Sequence, residues 1–161
     1  MEVRINSHLF TWSESTGLAQ RLFKPVKRMS IRTAAHGRPI SVTLWHSDGT
    51  GLLIQSTMRD VAERREVGVL DFAIAGVAED DEKNLDIPAS FISGVKASKL
   101  VINESGKTAE SGIVLEASDG QEIVVVAGAY PYSLAVSSLS SMPHGFEPEY
   151  PLETYTRVEI A

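Results

Sequence analysis

The 161-residue chain contains no cysteine. This absence excludes disulfide bonds, a cysteine nucleophile and any thiolate metal site, and it fits a reducing compartment. The chain also lacks a run of about 18 consecutive apolar residues, the length that a membrane-spanning helix needs. Its first residues include the acidic Glu2 and no apolar stretch of the kind that a secretory signal requires. We therefore expect a soluble cytoplasmic protein with no membrane partner.

Recognisable catalytic motifs are missing as well. The chain has no Gly-x-Ser-x-Gly nucleophile elbow, no glycine-rich phosphate loop and no dinucleotide-binding fingerprint. None of the four histidines has the spacing of paired zinc ligands. The acidic run at residues 79–86 lacks the alternating ligands and the central glycine of a calcium-binding loop. The sequence therefore predicts no catalytic residue, no metal ligand and no cofactor, and it favours a protein that is not an enzyme.

Positive charge is concentrated in one part of the chain. Residues 15–47 contain no acidic side chain, yet residues 21–38 carry the basic side chains of Arg21, Lys24, Lys27, Arg28, Arg32 and Arg38. The whole chain has a net charge of −6 and a pI near 5.2. This charge disfavours nucleic-acid binding, because the acidic remainder would repel phosphates. We interpret the basic segment as packing against the acidic body; a surface for nucleic acid or an acidic partner is the alternative.

The length and composition are those of one globular domain that covers residues 1–161. Hydrophobic residues make up 43% of the chain, enough to bury a core without disulfide bonds. Besides two hairpins, apolar stretches predict strands near residues 3–12, 69–77, 99–103, 134–136 and 155–160. Residues 142–152 are rich in proline and tyrosine, which predicts an extended segment. These segments predict a mainly β (α+β) fold, an antiparallel sheet sandwich or partly open barrel of seven to nine strands with two or three short helices.

The tripeptide Ser-Asp-Gly occurs twice, at residues 47–49 and 118–120. A three-residue loop keeps apolar side chains on one face of each hairpin, whereas a two-residue Asp-Gly loop would mix polar and apolar partners. The predicted registers pair Leu44 with Leu52, Val42 with Ile54, Trp45 with Gly51, Leu115 with Ile123, Ile113 with Val125 and Glu116 with Glu122. The glycine of each copy then adopts a left-handed conformation. Duplication of a half-domain is the alternative to two independent turns.

Three segments carry helical signals. Apolar residues at positions 18, 19, 22 and 23 share one helical face, and Pro25 ends that segment. Residues 57–60 have capping-box spacing, which predicts a short helix ending near Gly68; a continued edge strand is the alternative. Asp86 and Pro88 predict the cap and first turn of a third short helix, which ends at Gly94. Residues 123–127 are apolar on both faces, which predicts a central strand.

The aromatic residues of the C-terminal part form the strongest compositional signal. All four tyrosines lie beyond residue 129, where Pro131, Pro148 and Pro151 stiffen the chain and lower the entropy lost on docking. Tyrosine anchors many protein interfaces because it offers a large amphipathic surface with few rotatable bonds. We predict a binding patch made of Tyr130, Tyr132, Phe146 and Tyr150. Packing of this tail on the sheet and a small-ligand pocket are the alternatives.

These observations predict a non-enzymatic cytoplasmic accessory domain of bacterial type, with an immunity-type or structural role, that binds a partner protein or forms a homo-oligomer. The alternative hypothesis is a small-molecule-binding β-barrel or small enzyme with a site near Trp45, His46, Tyr130 and Tyr132. A functional pair of His46 and Asp48 belongs to this alternative, although an aspartate in such a turn ordinarily bonds its own loop backbone. A small-molecule site requires these four side chains to converge on an enclosed cavity, whereas a protein-binding surface requires them to lie on a flat or convex part of the surface.

Overall fold

The computed structural model describes residues 7–8, 11–12, 18–35, 37–76, 83–85, 87–93, 95–104, 106–137 and 146–160. Within these ranges the elements in chain order are β1 (Ser7–His8), β2 (Thr11–Trp12), α1 (Leu18–Leu22), β3 (Val26–Thr33), β4 (Pro39–His46), β5 (Gly51–Ala62), β6 (Arg65–Ala75), β7 (Lys83–Leu85), β8 (Val95–Glu104), β9 (Lys107–Ala117), β10 (Glu122–Ala127), β11 (Leu134–Val136) and β12 (Thr156–Glu159). Short 3₁₀ turns cover Ala89–Ser93 and Leu152–Thr154.

The strands form two sheets. Sheet I has the order β2-β6-β5-β4-β3-β7, and sheet II has the order β11-β10-β9-β8-β12 with β1 beside β9. Neighbouring strands are antiparallel except for β1 and β2, which pair in parallel with β9 and β6. The predicted mainly β, antiparallel fold is confirmed. The described strands outnumber the seven to nine predicted, because β1, β2 and β7 are only two or three residues long.

Both Ser-Asp-Gly hairpins have the predicted registers. In the first, Leu44 pairs with Leu52, and in the second, Leu115 pairs with Ile123. Gly49 and Gly120 have φ angles of 87° and 89°, a conformation that side chains disfavour. The remaining predicted pairs are also present, namely Val42 with Ile54, Trp45 with Gly51, Ile113 with Val125 and Glu116 with Glu122. The local sequence pattern was therefore sufficient to determine both turns.

The predicted helix ending near Gly68 is wrong, and the alternative strand is correct. β5 continues to Ala62, and the chain turns at residues 63–64 into β6, with Arg64 at a φ of 60°. A capping box contributes only about 1 kcal/mol, whereas the β5–β6 ladder satisfies the backbone of a long hairpin. The buried side chains of Val61, Val67 and Val69 then decide the outcome in favour of strands.

Sheet II carries apolar side chains on both faces. The face toward sheet I contributes to the central core, which includes Val42, Leu44, Leu52, Ile54, Phe72, Ile113, Leu115, Ile123 and Val125. The opposite face contributes to a second group, the outer cluster, which includes Val61, Val67, Val69, Leu100, Ile102, Val114, Val124, Val126, Ala135 and Tyr155. β10 is buried beyond its first residue and lies between β9 and β11, so the prediction of a central strand is confirmed.

A bulge in β9 connects the two sheets. The register of β8 and β9 shifts between Leu100 and Val101, which leaves Ser111 as the extra residue of β9. The Ser111 hydroxyl donates a 2.6 Å hydrogen bond to the carbonyl of Gly68 in β6. Gly68 also lies against Ala127, so closely that a side chain would collide with it. The far end of the β5–β6 hairpin therefore packs against the outer face of sheet II.

Several other sequence predictions are confirmed. The helix before Pro25 is α1, the short helix after Pro88 is the 3₁₀ turn at Ala89–Ser93, and β12 closes one edge of sheet II. The middle of the basic segment forms β3, which pairs with β4. Residues 13–17, most of the acidic run at residues 79–86 and residues 142–145 lie outside the described residues. In the part of the chain that is described, no helix is long and apolar enough to cross a membrane.

Candidate functional site

The loop between β10 and β11 presents two tyrosines to solvent. Tyr130 is 48% exposed and Tyr132 is 60% exposed, so Tyr132 has the largest exposed fraction among the large hydrophobic side chains of the described residues. We call residues 130–133 the tyrosine turn.

The hydrogen bonds of the tyrosine turn fix its backbone. The N–H and the hydroxyl of Ser133 both donate to the carbonyl of Tyr130, at 3.1 and 2.6 Å. Pro131 and Tyr132 therefore occupy the two central positions of a β-turn. Tyr132 has a φ of 62°, and a turn with proline first and a positive φ second is of type II, in which glycine or asparagine is favoured at the second position. Ser133 itself is buried and anchors the turn.

The conformation of Tyr132 costs stability. A side chain other than glycine in the left-handed region is destabilised by about 1–2 kcal/mol. Burial does not offset this cost, because most of the Tyr132 side chain lies in solvent. Because strained residues cluster at functional sites, the conformation of Tyr132 makes it a candidate binding residue.

Arg38 lies over the ring of Tyr130. Its guanidinium carbon is 3.6 Å from the ring centroid, a cation–π arrangement. Arg38 directly precedes β4, and its carbonyl accepts a 2.9 Å hydrogen bond from Ala34. The sequence pattern places Arg38 in the basic segment but gives no link to the tyrosines, since no local pattern connects residues so far apart in the chain.

Phe146 lies beside the tyrosine turn. Gly128 forms an antiparallel bridge with Pro148, and the N–H of Ala129 donates a 2.9 Å hydrogen bond to the carbonyl of Glu147. Two residues beyond the bridge, this pairing brings Tyr130 and Phe146 next to each other along the backbone. The side chain of Phe146 is half-buried and packs against the outer cluster.

Tyr150 is half-buried and, like Phe146, packs against the outer cluster. Its hydroxyl accepts a 2.5 Å hydrogen bond from Arg65 and donates a 3.4 Å hydrogen bond to Glu104. Its ring meets the ring of Tyr155 edge to face, with the centroids 6.1 Å apart. Burial raises the pKa of the Tyr150 hydroxyl. Tyr130 and Tyr132 are thus exposed in the tyrosine turn, whereas Phe146 and Tyr150 are half-buried against the outer cluster. A shared role of the four residues in binding stays a prediction.

Glu149 fastens the same segment to β6. Its Oε1 accepts a 3.0 Å hydrogen bond from the N–H of Gly68, while its own N–H donates to the carbonyl of Ala127 at 2.9 Å. Burial raises the pKa of this carboxyl above its ordinary value. Neither Arg65, Glu104 nor Glu149 was predicted from the sequence, because their proximity depends on how the tail crosses the hairpin.

Trp45 and His46 lie at the other end of β4. The Trp45 ring is 5% exposed, its Nε1 donates a 3.0 Å hydrogen bond to Ser30, and it covers Gly51. His46 is 2% exposed, and its Nδ1 lies 3.2 Å from the carbonyl of Pro25. A carbonyl only accepts, so Nδ1 carries the proton of the neutral ring. Burial lowers the pKa of His46.

The structure does not bring these two residues together with the tyrosine turn. Arg38, which stacks on Tyr130, begins the approach to β4, and Trp45 lies seven residues further on. At about 3.3 Å per residue, this spacing separates the two places by on the order of 20 Å. The four side chains named for a small-molecule site therefore do not converge on one cavity.

The turn after His46 is held by its own loop. Asp48 accepts hydrogen bonds from the N–H and the hydroxyl of Thr50, at 2.9 and 2.6 Å, and forms a 2.7 Å ion pair with Lys24. Lys24 first, and Thr50 next, hold the pKa of the Asp48 carboxyl well below its usual range. A hollow of about 230 Å³ lies beside His46. Within the described ranges, no group of three or more histidine, aspartate or glutamate side chains is arranged to hold a metal ion.

Charged residues line two adjoining hollows on sheet II, of about 340 and 320 Å³. Both hollows share Lys96 and Glu116. Glu122 lies opposite Glu116 as predicted, and Arg157 of β12 forms an ion pair with Glu122. Arg157, a residue of the last strand, therefore supplies a cation beside these two like charges.

Comparison of the chain with family models, with curated proteins and with solved structures gives no match.

Proposed function

We propose that this protein is a non-enzymatic, cytoplasmic accessory domain that binds a partner protein through the tyrosine turn, in an immunity-type or structural role. The observation that carries the proposal is the exposed Tyr132 at a φ of 62°. The strained backbone at Tyr132 lowers stability, and burial of the ring does not offset that loss. Hydrogen bonding within the turn gives no reason for an exposed aromatic side chain at this position, whereas binding of its ring by a partner does.

The surroundings of Tyr132 suit a protein partner. Pro131 and the two hydrogen bonds to the Tyr130 carbonyl hold the turn rigid before binding, so little entropy is lost when it docks. Arg38 is stacked on Tyr130, and arginine and tyrosine are enriched at the energetic centres of interfaces. The partner surface that fits this turn offers an apolar pocket for the Tyr132 ring and acceptors for the phenolic hydroxyls.

The test compares two glycine substitutions. Tyr132→Gly removes the aromatic ring and the backbone strain at this position. Arg64 has a φ of 60° in the exposed β5–β6 turn. Arg64→Gly therefore removes the same kind of backbone strain without removing an aromatic ring. We expect both variants to melt at or above the wild-type temperature. We expect only Tyr132→Gly to weaken partner binding, by at least about 1 kcal/mol, or about fivefold.

The measurement is quantitative mass spectrometry of proteins captured from the native cell on immobilised wild type and both variants. A partner retained by wild type and Arg64→Gly but lost by Tyr132→Gly supports the proposal. An identical set of captured proteins on all three would contradict it, since the exposed ring would then contribute nothing to binding. Sedimentation of the same three proteins shows whether the retained partner is a second copy of the chain.

A further inference from the structure

β12 is an open edge of sheet II. It is the last strand in the sheet order, and within the described ranges no strand covers its outer side. All four of its residues are exposed, including Val158, which is 43% exposed. An edge strand presents a row of unpaired N–H and C=O groups, which can pair with another strand.

The hydrogen bond of Ile160 determines which groups of β12 point outward. The N–H of Ile160 donates a 3.0 Å hydrogen bond to the carbonyl of Ala97, which lies in β8 and follows on from the β12–β8 register. Backbone groups alternate along an antiparallel strand, so those of Val158 and Thr156 also point toward β8. The N–H and C=O groups of Arg157 and Glu159 therefore point away from the sheet.

We infer that two copies of this chain pair through β12, antiparallel, about a two-fold axis at Val158. In this register Arg157 of each copy lies opposite Glu159 of the second copy, so both charge pairs are attractive. The same residues carry the outward backbone groups, and each Arg157–Glu159 pair closes two hydrogen bonds. The two Val158 side chains face each other in the close, non-hydrogen-bonded position.

Other registers of the β12–β12 pair bring like charges together or lose backbone hydrogen bonds. A shift that centres the axis on Arg157 or on Glu159 sets like charges directly opposite each other, which destabilises a strand pair. A shift by one residue places inward-pointing groups opposite outward-pointing ones and loses the hydrogen bonds. Charge and backbone phase thus select the same register, and a two-fold axis makes one sequence complementary to itself.

The interface is expected to be weak and separate from the tyrosine turn. A four-residue strand offers less area than the roughly 800 Å² per partner of a standard stable interface, so the dimer dissociates on dilution. The tyrosine turn joins β10 to β11, at the opposite edge of sheet II. A second copy on β12 and a different protein on the tyrosine turn are therefore compatible.

The test uses two charge variants and their mixture. Glu159→Arg gives copies with only arginine at the two positions, and Arg157→Glu gives copies with only glutamate. Each variant alone sets like charges opposite each other twice, and we expect its self-association to fall at least about fivefold below that of wild type. The mixture restores both attractive pairs, so we expect a heterodimer at wild-type strength in sedimentation velocity with one variant fluorescently labelled.

A third variant keeps the test independent of folding. Arg157→Glu also removes the ion pair with Glu122. Glu159→Pro leaves that pair intact; it removes the Glu159 carboxylate and one outward N–H, and an edge strand tolerates proline where the N–H points to solvent. We expect Glu159→Pro to be folded and monomeric. Wild type that stays monomeric at the highest soluble concentration, or variants that dimerise as wild type does, or a mixture that fails to associate, would each overturn the inference.

Discussion

At the scale of single residues, positive φ angles occur both at turn glycines and at two residues that carry a side chain. Gly49 and Gly120 adopt such angles in turns where glycine removes the steric cost. In the described part of the chain, only Arg64 and Tyr132 do so with a side chain. The glycines are explained by the turns alone. Tyr132 is not, which is why it carries the functional proposal.

The two turn glycines give a prediction for stability. Gly49→Ala and Gly120→Ala each have open space around the added methyl group, so their cost comes from the backbone alone, about 1 kcal/mol of unfolding free energy each. Gly76→Ala also meets nothing within 4 Å but has no positive φ, and it serves as the control with little or no loss. Urea denaturation measures all three; equal stabilities would contradict the turn assignment.

At the scale of elements, the molecule depends on close contact between β6 and β10. Gly68 of β6 leaves no room for a side chain, because an added Cβ would lie 2.4 Å from the Cβ of Ala127. The Ser111 hydroxyl and the Glu149 carboxylate both reach the backbone of Gly68. This contact holds the hairpin against sheet II and so positions the tail that carries Phe146 and Tyr150.

The contact predicts a compensating pair of substitutions. Gly68→Ala forces β6 away from β10 and is expected to lower the free energy of unfolding by about 1–3 kcal/mol. Ala127→Gly alone removes a buried methyl group and is also destabilising. The double variant Gly68→Ala/Ala127→Gly exchanges the two side chains, so we expect a coupling of at least about 1 kcal/mol between the sites. Additive losses in chemical denaturation would show that the strands do not meet there.

At the scale of the whole molecule, one buried and one half-buried group make stability depend on pH in opposite directions. Burial lowers the pKa of His46 below 6.5, so the unfolded chain binds the proton more readily and stability is lost as the pH falls through that range. Burial raises the pKa of Glu149 above 4.5, so the folded protein holds that proton more readily. Its contribution is lost as the pH rises from 4.5 through the folded pKa.

Substitution of each group separates the two effects. We expect His46→Gln to reduce the loss of unfolding free energy on acidification from about pH 7.5 to about pH 5.5, since the group that must be protonated in the unfolded chain is gone. Glu149→Gln is expected to steepen the loss as the pH falls further toward 4.5, since protonation of the folded carboxyl otherwise offsets part of that loss. Urea denaturation at several pH values measures how steeply the unfolding free energy of each protein changes with pH. These slopes are compared, and not the absolute stabilities, because both substitutions also change packing. A His46→Gln slope equal to that of wild type would contradict the assignment.

The sequence by itself determined the β-rich class, the two Ser-Asp-Gly hairpins and the edge position of the last strand. These features are local: alternation sets which face each side chain occupies, and a turn that needs a positive φ selects glycine. The four aromatic residues of the candidate site were also chosen from sequence, by composition. Their role in binding remains a prediction.

Only the tertiary structure decided how distant segments meet. The stack of Arg38 on Tyr130, the bonds of Tyr150 to Arg65 and Glu104, and the separation of Trp45 from the tyrosines all follow from strand order. The error at residues 57–68 has the same origin, because a weak local helix signal lost to burial in a long hairpin. Local propensities contribute tenths of a kcal/mol per residue, whereas the contacts that override them join residues whose proximity exists only once the sheets have formed.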